Sequence, residues 1–322
     1  SQSFRADIVS ASARIFIDGQ AGTTGLEITE RLTARDDIEL LSIDNEQRKR
    51  PETRRECFES ADLVVLCLPD DAAREAIKLS ETTRFIDAST AHRVDDRWAY
   101  GLPELTPDQR NAIRESRLVS NPGCYATGFV LSIRPLVDEN IVSKSALIRT
   151  HAVSGYSGGG RKLIEQYSRA VEDEQPTRPY AFNLSHKHLP EMQRYAGLDF
   201  APFFMPSVGN FFQGMLVQTP LFLHELNRSV QPKDLVEIYQ NRYADEPFVR
   251  VIESPFDNEL DEGYLSPTAC NGSNRIDLMV FGRDQQILVV ARLDNLGKGA
   301  AGAAVQNLNL MLGREESSGI SE

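Results

Sequence analysis

A glycine-rich turn between an apolar segment and a helical one, near the start of the chain, most limits the folds open to this sequence. Residues 14–18 predict a strand, Gly19, Gly22 and Gly25 follow at a G-x-x-G-x-x-G spacing, and residues 26–32 have helical periodicity. Glycines at such a turn let the backbone approach a pyrophosphate, which then binds free N–H groups at the helix end. Many strand-to-helix turns bind nothing, so the strand–turn–helix context carries the nucleotide-binding interpretation.

Apolar and helical segments then alternate along the first third of the chain. The apolar segments are short and continuous, which is typical of parallel strands buried on both faces. They lie at 38–43, 61–68 and 84–87, with a helix predicted at 71–79. This order predicts an α/β, Rossmann-like, doubly wound parallel sheet, and we assign residues 1–123 to this nucleotide-binding domain.

The second part of the chain has longer apolar segments. They predict strands at 203–208, 211–223, 275–281 and 286–293, with a helix at 233–243. This order is typical of an α+β substrate domain with a mostly antiparallel sheet, one face of which is covered by helices. We assign residues 124–298 to a catalytic, substrate-binding and oligomerisation domain. The small-residue helix in 299–322 is expected to rejoin the first domain, and the polar end from residue 314 onward is expected to be frayed.

Composition and charge exclude several classes of protein. With a formal net charge of −12 and no basic block, the chain lacks the electrostatics of a general nucleic-acid or anionic-membrane binder. No apolar run approaches the roughly 20 residues that span a bilayer, and no signal-peptide pattern is present, so we expect a cytoplasmic protein. The four cysteines are scattered without a C-x-x-C pair, which argues against a disulfide framework or a structural zinc site.

An Asn-Pro-Gly turn directly precedes one of these cysteines. Apolar residues 118–120 lead into Asn121, Pro122 and Gly123, and a helical pattern begins at Cys124. The free N–H groups and the dipole at a helix N-terminus favour an anion, so this position is expected to lower the pKa of the Cys124 thiol. The other three cysteines are interpreted as buried structural residues.

Two of the five histidines lie together in the segment Ser-His-Lys-His-Leu-Pro-Glu. Alternating histidines can bind a metal, but no convincing third ligand is nearby in the sequence. A histidine that acts as the acid–base partner of a catalytic thiol needs no third ligand. We therefore assign general acid–base catalysis to His188 and a supporting, substrate-contacting role to His186.

Polar residues near the predicted strand ends are candidates for cofactor binding. Ser42 and the cationic run at 48–50 would suit the 2′-phosphate of NADP, although a solvated charge run explains the cations equally well. Asp44 could instead bind a free ribose hydroxyl. Ser89 follows another strand, where it either faces the cofactor or caps a turn. These features favour NADP over NAD.

A second glycine-rich loop lies in the substrate domain. Ser154 is followed by three consecutive glycines and by Arg161 and Lys162, an arrangement that can surround an anionic group. A flexible loop would have the same composition. Both interpretations remain open from the residues alone.

Six segments of the chain together are similar to the N-acetyl-γ-glutamyl-phosphate reductase family in its shorter, type 2 form, within the semialdehyde dehydrogenase superfamily. The segments are 19–25, 87–93, 120–127, 151–162, 186–191 and 294–309. They span nearly the whole chain in the expected order, and 121–125 and 186–191 are the most specific. The related aspartate-semialdehyde dehydrogenases share the cysteine-bearing layout but differ around the histidines.

This resemblance implies NADPH as reductant, an acyl phosphate as substrate and a homo-oligomer, usually a tetramer. The catalytic residues are then Cys124, His188 and His186. The cofactor-binding residues are Gly19, Gly22, Thr23, Thr24, Gly25, Ser42, Ser89, Gly155 and Asn295. The substrate-binding residues are Asn121, Ser154, Gly158, Arg161 and Lys162. No metal is expected.

The chemistry of the residues agrees with this implication. An acyl phosphate is poorly arranged for direct hydride attack, whereas transfer to the Cys124 thiol would give an electrophilic thioester and release phosphate. An aspartate-semialdehyde dehydrogenase-like enzyme is the alternative within the superfamily. A Cys–His hydrolase would leave the N-terminal glycine turn without a purpose, and a non-catalytic nucleotide sensor would leave Cys124 without one.

Overall fold

The computed structural model describes residues 12–169, 176–254 and 256–322, so the first eleven residues of the predicted domain 1–123 lie outside the described part. The strands are β1 (Ala13–Asp18), β2 (Ile38–Leu41), β3 (Leu63–Leu66), β4 (Phe85–Asp87), β5 (Ala99–Tyr100), β6 (Leu118–Ser120), β7 (Arg149–Gly155), β8 (Arg178–Pro179), β9 (Phe203–Gly209), β10 (Met215–Phe222), β11 (Val249–Ile252), β12 (Leu260–Asp261), β13 (Tyr264–Leu265), β14 (Ile276–Arg283) and β15 (Gln286–Leu293). The helices are α1 (Thr23–Thr33), α2 (Pro51–Ser60), α3 (Asp70–Ala76), α4 (Gln109–Glu115), α5 (Cys124–Asp138), α6 (Gly160–Arg169), α7 (Leu189–Ala196), α8 (Pro232–Arg242) and α9 (Gly302–Met311), the last preceded by a π-helical turn (Gly297–Ala301). In these described ranges no helix has the length and apolar character needed to cross a membrane.

The first sheet is parallel throughout, in the order β2-β1-β3-β4-β6-β5. Apolar side chains alternate to its two faces, and each face has its own core. Ile15 and Ile17 of β1 pack towards α1 and α9, while Phe16 packs against Phe58 of α2. Burial on both faces explains why the strands are continuously apolar, and the predicted doubly wound sheet is confirmed.

The second sheet contains seven strands in the order β11-β14-β15-β10-β7-β9-β8. Four of its strand pairs are antiparallel, and β7–β9 and β11–β14 are parallel, so the predicted mostly antiparallel sheet is confirmed. Helices α5, α7 and α8 cover one face and share the largest core with it. Gly128 lets α5 approach β10 closely, because a Cβ at this position would lie 2.8 Å from Val217.

The C-terminal helix α9 returns to the first sheet, as the sequence predicts. Ala304, Val305 and Leu308 of α9 belong to the same core as the strands of that sheet. Beyond α9, however, the expectation of a frayed end is wrong. The carbonyl of Ser321 accepts a hydrogen bond from the Asn274 backbone N–H (2.8 Å), and Glu316 forms an ion pair with Arg110 (2.8 Å).

One strand begins later than its apolar pattern predicts. Strand β10 starts at Met215, although 211–223 reads as one apolar segment. Gly214 has a φ of +118°, and its N–H donates to the side chain of Asn295 (2.8 Å) instead of to a neighbouring strand. The residues before Met215 therefore form a loop.

Candidate active site

A cavity of about 650 Å³ lies where the carboxyl edge of the first sheet meets the second sheet. From the first sheet, residues after three strand ends line it: Thr23 and Thr24 after β1, Ala88 after β4 and Asn121 after β6. From the other side it is lined by the end of β7, by β8, by the 186–188 segment and by Asn295. The carboxyl edge of a parallel sheet is the usual place for a ligand.

Cys124 is the first residue of α5 and opens onto this cavity. The turn before it is held by Glu191 of α7, whose carboxylate accepts hydrogen bonds from the Gly123 backbone N–H (3.0 Å), the Tyr100 hydroxyl (2.6 Å) and the Arg93 guanidinium (2.7 Å). On the other side of the thiol, a Cβ on Gly299 would lie 2.8 Å from the Cβ of Cys124. The position of the thiol is therefore set from two directions.

The expected lowering of the Cys124 pKa is not found. Part of the side chain opens onto the cavity, but protein encloses the rest, and this burial raises the pKa of Cys124 to about 11. The Arg93 charge, the Tyr125 backbone N–H and the Lys187 charge each act in the opposite direction without overcoming the burial. A helix N-terminus alone therefore does not make a thiolate, because the thiol has lost its water.

The two histidines lie at the same cavity, stacked edge to face with ring centroids 4.7 Å apart. His188 is buried against the turn, since a Cβ on Gly123 would lie 2.5 Å from its Nε2. Burial, followed by the Arg93 charge, lowers the pKa of His188 well below its ordinary value. The pKa of His186 is lowered to about 4, first by burial and then by the Lys187 and Arg93 charges. Both rings are neutral near pH 7, so either can accept a proton.

The hydrogen bonds of the two rings differ. His186 Nδ1 accepts from the backbone N–H of His188 (3.1 Å), and its Nε2 lies 3.4 Å from the Tyr180 hydroxyl. The Nδ1 of His188 has no hydrogen-bond partner within the described residues. The His188 ring thus has fewer hydrogen bonds than the His186 ring, and it lies beside the turn that precedes Cys124.

The glycine-rich turn has the shape that a pyrophosphate requires. Gly19 has a φ of +93°, and a Cβ there would lie 2.3 Å from the carbonyl oxygen of Cys67. A Cβ on Gly25 would lie 2.5 Å from the Gly19 carbonyl oxygen. Gly22 is the N-cap of α1 without a side-chain hydrogen bond to the helix, and its own N–H donates to the Gly19 carbonyl (3.1 Å), so the N–H groups of the first helical turn are the ones that would bind a ligand. With Thr23 and Thr24 on the cavity wall, these residues fit a dinucleotide.

Two predicted cofactor-binding serines do not line this cavity. Ser42 is exposed just beyond β2, which leaves it free for a group bound outside the cavity. Ser89 is buried, and its hydroxyl donates to Asp87 (2.8 Å). The turn-capping interpretation of Ser89 is therefore the one that the contacts favour.

The second glycine-rich loop contributes its serines and its glycines, up to Gly160, to the cavity. Ser154, Gly155 and Gly158 line it, and Asn295 anchors the loop by donating to Ser157 Oγ (2.9 Å). The two cations of the loop lie elsewhere. Arg161 is 77% exposed and pairs with Glu165 (3.1 Å), and Lys162 is also exposed. Both are exposed residues in the first turn of α6, and neither lines the cavity.

The amide of Asn121 is occupied by protein partners. Its Nδ2 donates to the Ala300 carbonyl (2.9 Å), and its Oδ1 accepts from Asn307 (3.1 Å). Asn121 lines the cavity, yet its side chain joins the nucleophile turn to the C-terminal segment. In this structure its amide groups are used for positioning.

Several cavity residues were not assigned by the sequence reasoning. Arg93, Arg178 and Lys187 supply the positive charge of the wall, and Tyr125 and Tyr180 supply hydroxyl groups joined by a 3.1 Å hydrogen bond. Lys187 could have been found, since it lies between the two histidines. Arg178 carries no local sequence signal, because it is brought to the cavity by the pairing of β8 with β9.

Two family models match the chain: "Semialdehyde dehydrogenase, NAD binding domain" over residues 14–113 and "Semialdehyde dehydrogenase, dimerisation domain" over residues 124–295. Solved structures with this fold include aspartate semialdehyde dehydrogenase from Francisella tularensis, with a TM-score of 0.70 and 14% identity over 93% of this chain and 100% of that one. Aspartate semialdehyde dehydrogenase II from Vibrio cholerae gives 0.69 and 14% over 94% and 98%. Fold and site together define an NAD(P)-dependent oxidoreductase of the semialdehyde dehydrogenase class.

Similarity to curated proteins is much higher. The chain is 48% identical to N-acetyl-gamma-glutamyl-phosphate reductase 2 from Nostoc over 318 residues, which covers 95% of this chain and 99% of the relative. It is 47% identical to the N-acetyl-gamma-glutamyl-phosphate reductase from Chelativorans over 94% of this chain and 98% of that one. The protein belongs to the N-acetyl-γ-glutamyl-phosphate reductase family.

Proposed function

We propose that this enzyme uses NADPH to reduce N-acetyl-γ-glutamyl phosphate to N-acetylglutamate semialdehyde and phosphate, a step of arginine biosynthesis, through a thioester on Cys124. One observation carries the proposal. The Cys124 thiol, both histidines and the helix end after the glycine-rich turn line a single cavity. A substrate bound in this cavity could therefore contact both the Cys124 thiol and a dinucleotide bound at the glycine-rich turn.

NADP(H), when bound, supplies the hydride that the reaction needs. The residues that would hold it are those of the tight turn, Gly19, Gly22 and Gly25, with Thr23 and Thr24. Gly155 and Asn295 line the opposite wall of the same cavity, where they would contact the bound cofactor. Ser42, beyond the end of β2, would contact the 2′-phosphate.

Acyl transfer begins from a neutral pair, because burial raises the pKa of Cys124 and lowers that of His188. As Sγ bonds to the acyl carbon, its proton passes to His188, and the bond from that carbon to the phosphate oxygen breaks. Phosphate leaves beside Lys187 and takes up a proton from water to become hydrogen phosphate. The imidazolium that forms is better tolerated while the phosphate charge is present.

Aldehyde release uses the same two residues, but the proton now moves from His188 back to Cys124. Hydride supplied by bound NADPH would convert the thioester carbonyl into a tetrahedral oxyanion, whose charge backbone N–H groups at the start of α5 would stabilise. The C–S bond would then break and free the aldehyde. His188 returns its proton to Sγ, which restores the neutral pair for the next turnover.

We also propose that the enzyme is a homo-oligomer, a tetramer by the family resemblance. The open face of the second sheet supports self-association, since it exposes the apolar side chains Phe203 (52%), Met205 (42%) and Phe222 (37%).

We propose that the chain has two domains, one formed by 1–123 together with 299–322 and the other by 124–298. All four cysteines are free thiols, which is typical of a reducing compartment, and we propose a cytoplasmic location.

The reverse reaction tests the proposed function. Purified enzyme is incubated with NADP and N-acetylglutamate semialdehyde or aspartate semialdehyde, with and without inorganic phosphate, and nicotinamide absorbance is followed. Reduced cofactor should form with the acetylated aldehyde and only with phosphate. A higher kcat/KM with aspartate semialdehyde would favour the related enzyme instead.

Mass spectrometry tests the thioester. The enzyme is incubated with acyl phosphate in the absence of NADPH, and the reaction is then quenched. The added acyl mass should lie on Cys124. Cys124→Ser should retain NADPH binding and lose reduction almost completely, while the matched Cys57→Ser variant should keep it. An adduct on another residue, or turnover by the Cys124→Ser enzyme, would overturn the mechanism.

A further inference from the structure

Arg178 contributes a cation to the cavity wall from the edge of the second sheet. It is the first residue of β8 and pairs with Val208 of β9, which also lines the cavity. The side chain is half-buried. Among the residues that the structure describes, no carboxylate forms an ion pair with it, and no acceptor takes a hydrogen bond from it. Within the described part of the chain, the guanidinium edge is therefore available to a ligand.

An aromatic stack packs against this guanidinium. Its Cζ lies 5.2 Å from the ring centroid of Tyr167, which is stacked on Tyr156 at 4.7 Å and 12°. Tyr156 in turn packs edge to face against Phe212 (5.6 Å). Stacking on an aromatic ring orients an arginine while leaving its N–H donors unused, which prepares it for planar, bidentate recognition.

The charges around the cavity distinguish Arg178 from the two cations near the Cys124 thiol. Among the described residues, the charged side chains that line the cavity are Arg93, Arg178 and Lys187, and none of the described lining residues is acidic. Arg93 is neutralised by Glu191 (2.7 Å). Lys187 and Arg93 both lower the pKa of Cys124, so these two cations act at the thiol, where phosphate leaves. A second anionic group on the substrate would find its partner in Arg178.

We propose that Arg178 binds the substrate carboxylate at the end opposite the acyl phosphate, and that this contact selects carboxylate-bearing acyl groups. The inference rests on the proposed function. N-acetyl-γ-glutamyl phosphate carries such a carboxylate beside its acetamido group. The planar guanidinium matches the two carboxylate oxygens with parallel N–H···O bonds, a geometry that a lysine cannot reproduce.

A pair of aldehydes that differ only in this carboxylate tests the inference. N-acetylglutamate semialdehyde and 4-acetamidobutanal are compared in the reverse reaction, with NADP and phosphate at saturation. Wild type should prefer the carboxylate-bearing aldehyde. Arg178→Met should lower kcat/KM for that aldehyde by about 10–100-fold, the range of a hydrogen-bonded charge, and should change the value for 4-acetamidobutanal less than about 3-fold. Arg178→Lys should keep an intermediate preference.

Arg283→Met is the matched control, since Arg283 is a strand residue whose side chain is 91% exposed and lies away from the cavity. It should leave both aldehydes unaffected. Equal losses of the two aldehydes in Arg178→Met, or a wild-type preference below about 3-fold, would overturn the role of Arg178 while leaving the proposed function intact. No NADPH from either aldehyde in wild type would overturn the proposed function and this inference with it. If Arg178→Met does not bind NADP, the wild-type preference and the Arg178→Lys variant decide.

Discussion

At the scale of single residues, the proposed chemistry starts from a thiol that is neutral at rest. Burial raises the pKa of Cys124 and lowers that of His188, so in the proposed mechanism the thiolate forms only when substrate arrives. This arrangement protects the thiol from unwanted oxidation and alkylation, because the thiolate is the reactive form. It also makes the proton transfer to His188 part of the reaction.

The pH dependence of alkylation tests this state. With the pKa of Cys124 raised to about 11, the thiolate fraction is small at pH 7 and grows about tenfold per pH unit until that pKa is approached. The rate of iodoacetamide labelling of the Cys124 peptide, followed by mass spectrometry without substrate, should therefore still be rising steeply between pH 7 and 9. A rate that is already constant by pH 8 would show a thiolate at rest and contradict the neutral pair.

Exchange of each histidine for asparagine separates their roles. His188→Asn should reduce kcat by about 10²–10⁴-fold, because the proton acceptor beside the nucleophile is lost. His186→Asn should act mainly on KM, since its ring already holds the His188 backbone N–H and faces the Tyr180 hydroxyl. Steady-state kinetics of the two variants decides. If kcat falls more in His186→Asn, the roles are reversed.

At the scale of elements, helix α7 positions the start of helix α5. Glu191 in the first turn of α7 holds Gly123, Tyr100 and Arg93 together, and it is buried with Arg93. A one-turn adjustment of α7 would therefore move the nucleophile, His188 and the Arg93 charge at once. The geometry of the candidate active site therefore depends on the N-terminal ends of α5 and α7 and on the Glu191 carboxylate that joins them.

Removal of this carboxylate is expected to be costly. Glu191→Ala leaves the buried Arg93 charge without its partner, which should lower the free energy of unfolding by about 3–5 kcal/mol and also reduce kcat. Asp95→Ala removes the partner of Arg97, which is 73% exposed, and should change the free energy of unfolding much less than Glu191→Ala does, because solvent screens this pair. Urea unfolding of the two variants measures the difference. Similar small losses for both would mean that Glu191 does not support the turn.

At the scale of the whole molecule, a buried ion pair joins the two halves of the chain behind the active site. Lys298, in the π-helical turn, donates to Glu104 (2.7 Å) and to Gln306 of α9 (2.7 Å). Both charged side chains are fully buried. The same turn carries Gly299, which packs against Cys124, so the pair that joins the halves also supports the nucleophile.

Loss of this lysine should destabilise the protein in a pH-dependent way. Lys298→Met leaves a buried carboxylate unpaired and should cost about 3–5 kcal/mol near neutral pH. Despite its burial, the pKa of Glu104 is lowered, chiefly by Lys298, so its contribution is present above the ordinary carboxyl pKa and is lost as pH falls through the lowered value. Urea unfolding of wild type and variant should therefore converge in acid. The exposed pair Lys78–Glu75 supplies the control, because Lys78→Met should change stability little at any pH. A difference that persists unchanged in acid would contradict the assignment.

Much of this architecture could be predicted from local patterns. The continuous apolar strands, the glycine-rich turn and the helix that begins at Cys124 each carry their signal within about ten residues, and each is present in the structure. The Cys124 and His188 side chains could be chosen as a pair because their segments are distinctive. Arg161 and Lys162 were chosen by composition and lie outside the cavity, because a charge pattern does not reveal which side of a helix faces a ligand.

Local patterns in the chain were enough to predict the parallel sheet and the mixed sheet, and they led us to propose Cys124 as the nucleophile with a histidine partner, since strand periodicity and side-chain chemistry are local properties. Long-range packing sets the protonation state of Cys124, the contacts of Glu191 and the presence of Arg178 in the cavity wall. These depend on burial and on contacts between residues far apart in the chain. A pKa responds to the water and charges that surround the group, and those surroundings exist only after the chain has folded.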